Sequence, residues 1–212
     1  MRQSPILFTT NYMSDEGYIK FNPTWHQKKL PKNLNLSYIT HFRQALYTLN
    51  LIGAYSNDIG YGNISQRLND QNNFLISGSS TGNYNTLTRQ HYSKVLDFNL
   101  EKNSLTCEGP IIASSESMSH AVIYQECNWV NGVIHIHHLK MWQKLLHKVP
   151  TTDKRATYGS PEMANAIIQL LRETDLKTQR IFVMEGHEEG IFTFGKNLEE
   201  AFLIIEKHYH QI

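Results

Sequence analysis

The segment NGVIHIHHLK, residues 131–140, sets three histidines into the end of an apolar run. The run VNGVIHI reads as a buried strand, where an aliphatic side chain would pack without an imidazole's desolvation cost. Residues two apart on a strand share a face. His135 and His137 are therefore expected to project together, and His138 to the other side. Two imidazoles side by side can share one divalent metal, with zinc at about 2.0–2.1 Å from each nitrogen as the usual case. Two ligands hold a metal poorly, and MEGHEEG offers a third, His187, at a strand end beside glycines. Three protein ligands leave a position open for substrate, the mark of a catalytic site. An H-x-H pair alone also fits core histidines satisfied by the backbone, and 11 histidines in 212 residues make chance pairs common. The spacing and the third ligand must carry the case. His138 is read as a supporting or surface residue.

A second feature is ASSES, in which Ser114 and Ser115 precede Glu116 where a helix is expected to begin. A helix N-terminus offers free N–H groups and a positive dipole end, suited to a phosphate. Ordinary capping would put the same residue types there. The loops GNIS and SGSSTGNYN could cradle an anion with backbone amides, although many such loops are only turns.

The elements that must position these residues follow from periodicity. SYITHFRQALYTLNLIGAY spaces Ile39, Phe42, Leu46 and Leu49 as a helix, with Gly53 as its end signal. YGNISQRL and NNFLISG read as strands joined by a hairpin at NDQN; YSKVLDFNL and NSLTCEG read as two more, separated by EKN. SSESMSHAVIYQE is expected to be a helix capped by Ser114 or Ser115, with Met118, Val122 and Ile123 on its inner face. Ser160 and Pro161 open a helix through Glu173, QRIFVMEGHEEGIFTFG is strand, turn, strand, and Asn197 caps a closing helix. Hairpins mixed with crossovers predict a mixed or antiparallel sheet covered by helices. Residues 1–34 are expected to form an N-terminal arm or edge segment, and residues 35–212 one domain.

Bulk composition narrows the function classes. A chain of 212 residues supports one sizeable core, and 40% hydrophobic against 18% charged residues marks it as globular. A net charge of +1 gives no long-range pull toward nucleic acid or an anionic membrane, so neither is an expected partner. Cys107 and Cys127 form no C-x-x-C motif and read as reduced thiols of a cytoplasmic protein. The apolar run near the N-terminus is too short for a signal-peptide core, and AFLII is too short to span a bilayer.

The order GNIS, FLISGSSTG, SSESMSH, VIHIHH, YGSPEM, EGHEEG and a terminal NLEEAF helix resembles the class II aldolase/adducin family across about residues 36–210. The nineteen-residue step from Glu116 to His135 is similar to the family's. The resemblance implies a three-layer α/β/α sandwich with a mixed, mostly antiparallel central sheet, assembled as a homotetramer with sites between subunits. It implies zinc, or another divalent transition metal, on His135, His137 and His187. It implies Glu116 as the acid/base carboxylate, which also approaches the metal. It implies Asn63, Thr81, Gly82, Ser114 and Ser115 as the phosphate-binding set, with His120, one helical turn after Glu116, in support. The implied activity is that of a lyase on a small phosphorylated sugar or sugar acid, by retro-aldol cleavage through a metal-stabilised enediolate. Dehydratase, epimerase or decarboxylase chemistry on the same scaffold is the alternative. A non-catalytic adducin-like binding module is a further one, against which the retained histidines and Glu116 argue.

The chain departs from the aldolases at two points within the matched stretch, and from the epimerases at one more. The segment between the H-x-H strand and YGSPEM is short, and nothing in it matches the family's proton-donating tyrosine; Tyr158 is near in sequence but has no assigned role. Glu188 follows His187 where the aldolases usually carry glycine. Glu116 stands where the epimerases usually carry aspartate, which tilts the reading away from epimerase.

Overall fold

The computed structural model describes residues 18–68 and 72–212. Its strands are β1 (Asn22–Gln27), β2 (Gly53–Ala54), β3 (Gly60–Tyr61), β4 (Asn63–Arg67), β5 (Phe74–Ser77), β6 (Tyr92–Asn99), β7 (Ser104–Gly109), β8 (Gly132–His137), β9 (Thr151–Thr152), β10 (Ile181–Met184) and β11 (Gly190–Gly195). Its helices are α1 (Ser37–Thr48), α2 (Ser117–Glu126), α3 (Leu139–Leu145), α4 (Pro161–Glu173), α5 (Leu176–Gln179) and α6 (Leu198–Tyr209).

Alternation along β8 sets the layers. Ile134 and Ile136 point into a core shared with Ile39 and Leu46 of α1 and Ala201 and Ile205 of α6. Val133 points the other way, into a core with Val122 of α2 and Ile167 of α4. His135 and His137 share the face of Val133, as period-two geometry requires. Among the described residues, nine strands form one sheet in the order β1-β7-β6-β5-β4-β8-β11-β10-β9. Only the outer pairs β1–β7 and β9–β10 are parallel, whereas the inner neighbours run antiparallel. This is the mixed, mostly antiparallel α/β/α sandwich that the sequence leads one to expect.

Several local signals hold. Ser160 caps α4 by accepting from the Met163 N–H at 3.2 Å, with Pro161 in the first turn. Asn197 caps α6 by accepting from the Glu200 N–H at 2.8 Å. β4 and β5 pair antiparallel; residues 69–71 of the expected NDQN turn lie outside the described residues. Cys107 and Cys127 are buried free thiols. No helix among the described residues is long and apolar enough to cross a membrane.

Others are corrected. α1 stops at Thr48, and the chain reverses through Asn50 at φ 56° rather than at Gly53, which belongs to β2. Neither Ser114 nor Ser115 caps α2. Glu116 occupies the cap position without a side-chain cap bond, and the Ser114 hydroxyl accepts the Glu116 N–H at 3.4 Å. α2 has no single inner face, because the sheet covers one side and α4 another; every residue from Ser117 to Tyr124 is buried. Three elements carry too little periodicity to be read from sequence. β1 pairs in parallel with β7 at the sheet's edge, α3 is seven residues long and capped by the His138 ring, which accepts from the Met141 N–H, and β9 has two residues.

Ile134 is fully buried on the α1/α6 side of β8. Ile134→Ala is expected to cost about 2–5 kcal/mol in urea denaturation, because the surrounding helices cannot collapse into the cavity. A loss well below about 1 kcal/mol would contradict this packing.

Candidate functional site

The pairing of β8 with β11 sets His135 opposite Phe192 and His137 opposite Gly190. The Phe192 ring stacks on His135 at 4.3 Å between centroids and 19° between planes. Opposite His137 there is no side chain, and a Cβ on Gly190 would meet the His187 carbonyl at 3.0 Å and His135 Cε1 at 3.3 Å. Glycine thus keeps room for the His187 backbone and the His135 ring, and the β10–β11 turn carries the third imidazole. The His187 N–H donates to Met184 O at 3.2 Å, and its carbonyl accepts from the Gly190 N–H at 2.9 Å. One ring nitrogen from each of His135, His137 and His187 lies within 4.8 Å of the others, and all three residues are buried.

The outward hydrogen bonds fix the imidazoles in useful tautomers. His135 Nδ1 lies 3.2 Å from Ile191 O, which can only accept, so Nδ1 carries the proton. His137 Nδ1 lies 2.8 Å from Tyr55 Oη, and that phenol donates to Glu189 Oε2 at 2.7 Å, so it accepts from Nδ1. Both Nε2 atoms are then lone-pair nitrogens, 3.1 Å apart. Burial pushes both imidazoles well below the usual histidine range, so they are neutral and able to ligate. Burial pushes the Glu116 carboxyl up, but His187, His135 and Ser119 together pull it lower, leaving it below its ordinary value and ionised. Glu116 Oε2 accepts from Ser119 Oγ at 3.0 Å. Glu116 Oε1 is buried without a hydrogen-bond partner, 3.6 Å from His187 Nδ1. Two facing lone pairs beside an unsatisfied buried carboxylate oxygen make a donor set that a divalent transition metal would complete.

Beside this cluster lies a pocket. Asn63, Thr81, Gly82, Ser114, Ser115, Glu116 and His135 all line it, and so does Tyr158. His137 and His187 adjoin it through His135. Tyr158 packs its ring 4.8 Å from His187. The loop of residues 78–82 can reach the pocket only because Gly82 has no side chain: a Cβ there would come within 1.9 Å of Gly53 O. The Thr81 hydroxyl donates to Gly78 O at 2.9 Å, holding the loop's own turn. From behind, Arg43 of α1 donates to the carbonyls of Thr81 (3.1 Å), Gly82 (3.2 Å) and Asn85 (3.0 Å). It occupies those carbonyls and sets a buried cation behind the loop.

Asn63 is oriented by a buried relay. His120 Nε2 lies 2.5 Å from Asn63 Oδ1, and its Nδ1 lies 2.6 Å from Ser65 Oγ, which meets Tyr124 Oη at 2.8 Å. Burial pushes His120 down to about 3, so it is neutral, with one nitrogen donating and the other accepting. With Nε2 donating to Oδ1, the Asn63 amide is held with its NH2 group as the end left for the pocket.

Residues 49–208 match the sequence model of the family described as Class II Aldolase and Adducin N-terminal domain. The chain belongs to this family. Solved structures share the aldolase fold at low identity. An L-fuculose 1-phosphate aldolase superposes with a TM-score of 0.62 at 17% identity, covering 86% of this chain and 84% of that one. A sugar-phosphate aldolase from Thermotoga maritima gives 0.58 at 17%, covering 80% and 88%. YgbL from Klebsiella pneumoniae, whose description leaves aldolase, epimerase and decarboxylase open, gives 0.58 at 18%, covering 79% and 81%. No curated protein shows a significant sequence match.

Within this class II aldolase family member, sequence reasoning missed Arg43, Tyr55, Tyr61 and Glu189. Arg43 had a signal, since it sits between Phe42 and Leu46 on the inner face of α1, where an arginine must find buried acceptors. The others act across more than 70 residues of chain, as in the 82-residue separation of Tyr55 from His137, and leave no local pattern. The His120 relay carries a pH signature. The unfolded chain takes a proton on His120 near pH 6.5, the folded chain only near pH 3. The unfolded state therefore binds more protons in that window, and stability falls as pH falls. From pH 6.5 to 5 this side chain should cost the wild type about 2 kcal/mol that a His120→Gln variant does not lose. Urea denaturation of both at several pH values should show their stabilities converging on acidification; a constant gap would contradict the buried neutral state.

Proposed function

We propose that the protein is a divalent-metal-dependent lyase that cleaves a carbon–carbon bond of a small phosphorylated sugar or sugar acid by a retro-aldol reaction. The observation that carries this reading is the position of Glu116. Ionised and buried, it lines the pocket and also faces the histidine cluster. His135, His137 and His187 would hold the metal, zinc being the usual choice for three imidazoles. When bound, such a metal would supply Lewis-acid polarisation of a substrate carbonyl and stabilise developing enediolate charge.

The chain's own residues would do the rest. Glu116 would move the proton, since its carboxylate borders both the pocket and the imidazoles and is ionised, ready to accept one. The N–H groups of Ser80, Thr81 and Gly82, the Ser114 and Ser115 hydroxyls and the Asn63 amide would bind the phosphate and fix the register of the reacting carbons. Arg43 would favour the anion from behind the loop. The names of the fuculose-phosphate and sugar-phosphate aldolase relatives support a sugar phosphate as substrate. The reading includes a cytoplasmic homotetramer, with residues 1–34 as an arm on a domain of residues 35–212; family resemblance and composition support it.

Epimerisation, dehydration and decarboxylation would use the same enediolate chemistry, and YgbL's description keeps two of them in view. Product mass separates them, because dehydration loses water, decarboxylation loses carbon dioxide and epimerisation changes no mass. The test is a panel of ketose phosphates offered to metal-loaded wild type and Glu116→Gln. Wild type should cleave, or exchange the α-proton of, at least one, and Glu116→Gln should retain metal while losing about 10²–10⁴-fold in rate. A fully loaded wild type that does neither on any member would sink the lyase assignment.

A further inference from the structure

Glu189 has a left-handed backbone, φ 71°, in the turn between His187 and Gly190. A glycine would adopt that conformation at no steric cost, and glycine is the residue such turns favour. The glutamate carboxylate has a specific engagement there. It accepts from Tyr55 Oη at 2.7 Å, and the same phenol oxygen lies 2.8 Å from His137 Nδ1. Tyr55 comes from the β2–β3 hairpin, which also lays the Tyr61 ring over His137 at 5.5 Å and 30°. Tyr55 and Tyr61 pack on each other at 4.6 Å. One hairpin thus grips a single imidazole by its face and by its outward nitrogen, and Glu189 polarises the grip.

We propose that Tyr55 and Glu189 are positioning residues for the metal centre. Together they form a carboxylate–phenol–imidazole relay that locks His137 in the tautomer whose proton is on Nδ1 and whose Nε2 lone pair can ligate. The inference rests on the metal reading of the three histidines. It accounts for a glutamate at a position whose backbone favours glycine. Hydrogen-bond partners of this kind orient a ligating imidazole and raise its basicity, and their loss typically weakens metal binding about 10–100-fold.

The test uses the full-length metal-free protein, titrated with zinc against a chromophoric chelator, for wild type, Tyr55→Phe, Glu189→Gln and Glu189→Gly. Thermal midpoints are measured without metal. Tyr55→Phe and Glu189→Gln should each weaken zinc binding about 10-fold or more. Glu189→Gly separates the two roles: relief of the left-handed backbone should leave its metal-free midpoint equal to or above wild type, yet zinc should bind more weakly. Cobalt-substituted Tyr55→Phe should also show a shifted ligand-field spectrum. Tight zinc binding by wild type with affinities within about twofold in all three variants would overturn the relay alone. Failure of wild type itself to take up zinc would overturn the metal reading and the relay with it.

Discussion

Four buried groups, three imidazoles and one ionised carboxylate, converge in a place with almost no solvent to screen them. An isolated carboxylate in such surroundings would take a proton; Glu116 does not, because the histidines and Ser119 outweigh its desolvation. Burial, for its part, holds His135 and His137 well below the usual histidine range, and their Nε2 lone pairs face one another. The sheet, the glycines and the flanking helices all serve to hold this arrangement against its own electrostatic cost. β8 supplies two of the imidazoles from one face, and the β10–β11 turn carries the third.

The pocket beside Glu116 depends on a different constraint, close approach of backbone. Gly53, Gly60 and Gly82 meet where two loops touch, and a Cβ on Gly82 would sit 1.9 Å from a carbonyl oxygen. Arg43 then ties up the Thr81 and Gly82 carbonyls on the far side, while the Gly78 and Ser79 N–H groups donate to His91 O and Ile112 O. The two constraints meet at Glu116, which borders both the pocket and the imidazoles. A group that spans both sites is where substrate binding and proton transfer can be coupled.

The histidine cluster was legible in sequence because strand geometry forces His135 and His137 onto one face, and because a glycine-flanked turn is a natural seat for His187. The layers were legible for the same reason: apolar alternation on β8 and the capping residues Ser160 and Asn197 are local signals. What escaped depends on distance along the chain. Tyr55 and Glu189 are 134 residues apart and meet only once the β2–β3 hairpin folds over the β10–β11 turn. The helix α2 and its buried Met118, Val122 and Ile123 hold, but a single inner face did not, because a helix covered on two sides needs no amphipathic stripe; its serines, histidine and tyrosine look polar in sequence yet sit in the interior. The relay of His120 and Tyr124 through Ser65 to Asn63, and the bonds from Ser117 to Ser114 O and from Ser119 to Glu116, make that burial tolerable.

The claim on which the rest stands is that His135, His137 and His187 form one metal seat. Metal content per chain, measured on wild type and His187→Ala purified alike without added metal or chelator, tests it most directly. The account predicts about one transition-metal ion per wild-type chain, consistent with a single three-histidine site, and its loss in a folded His187→Ala protein. Metal absent from both even after zinc reconstitution, or retained at the same level without His187, would contradict it.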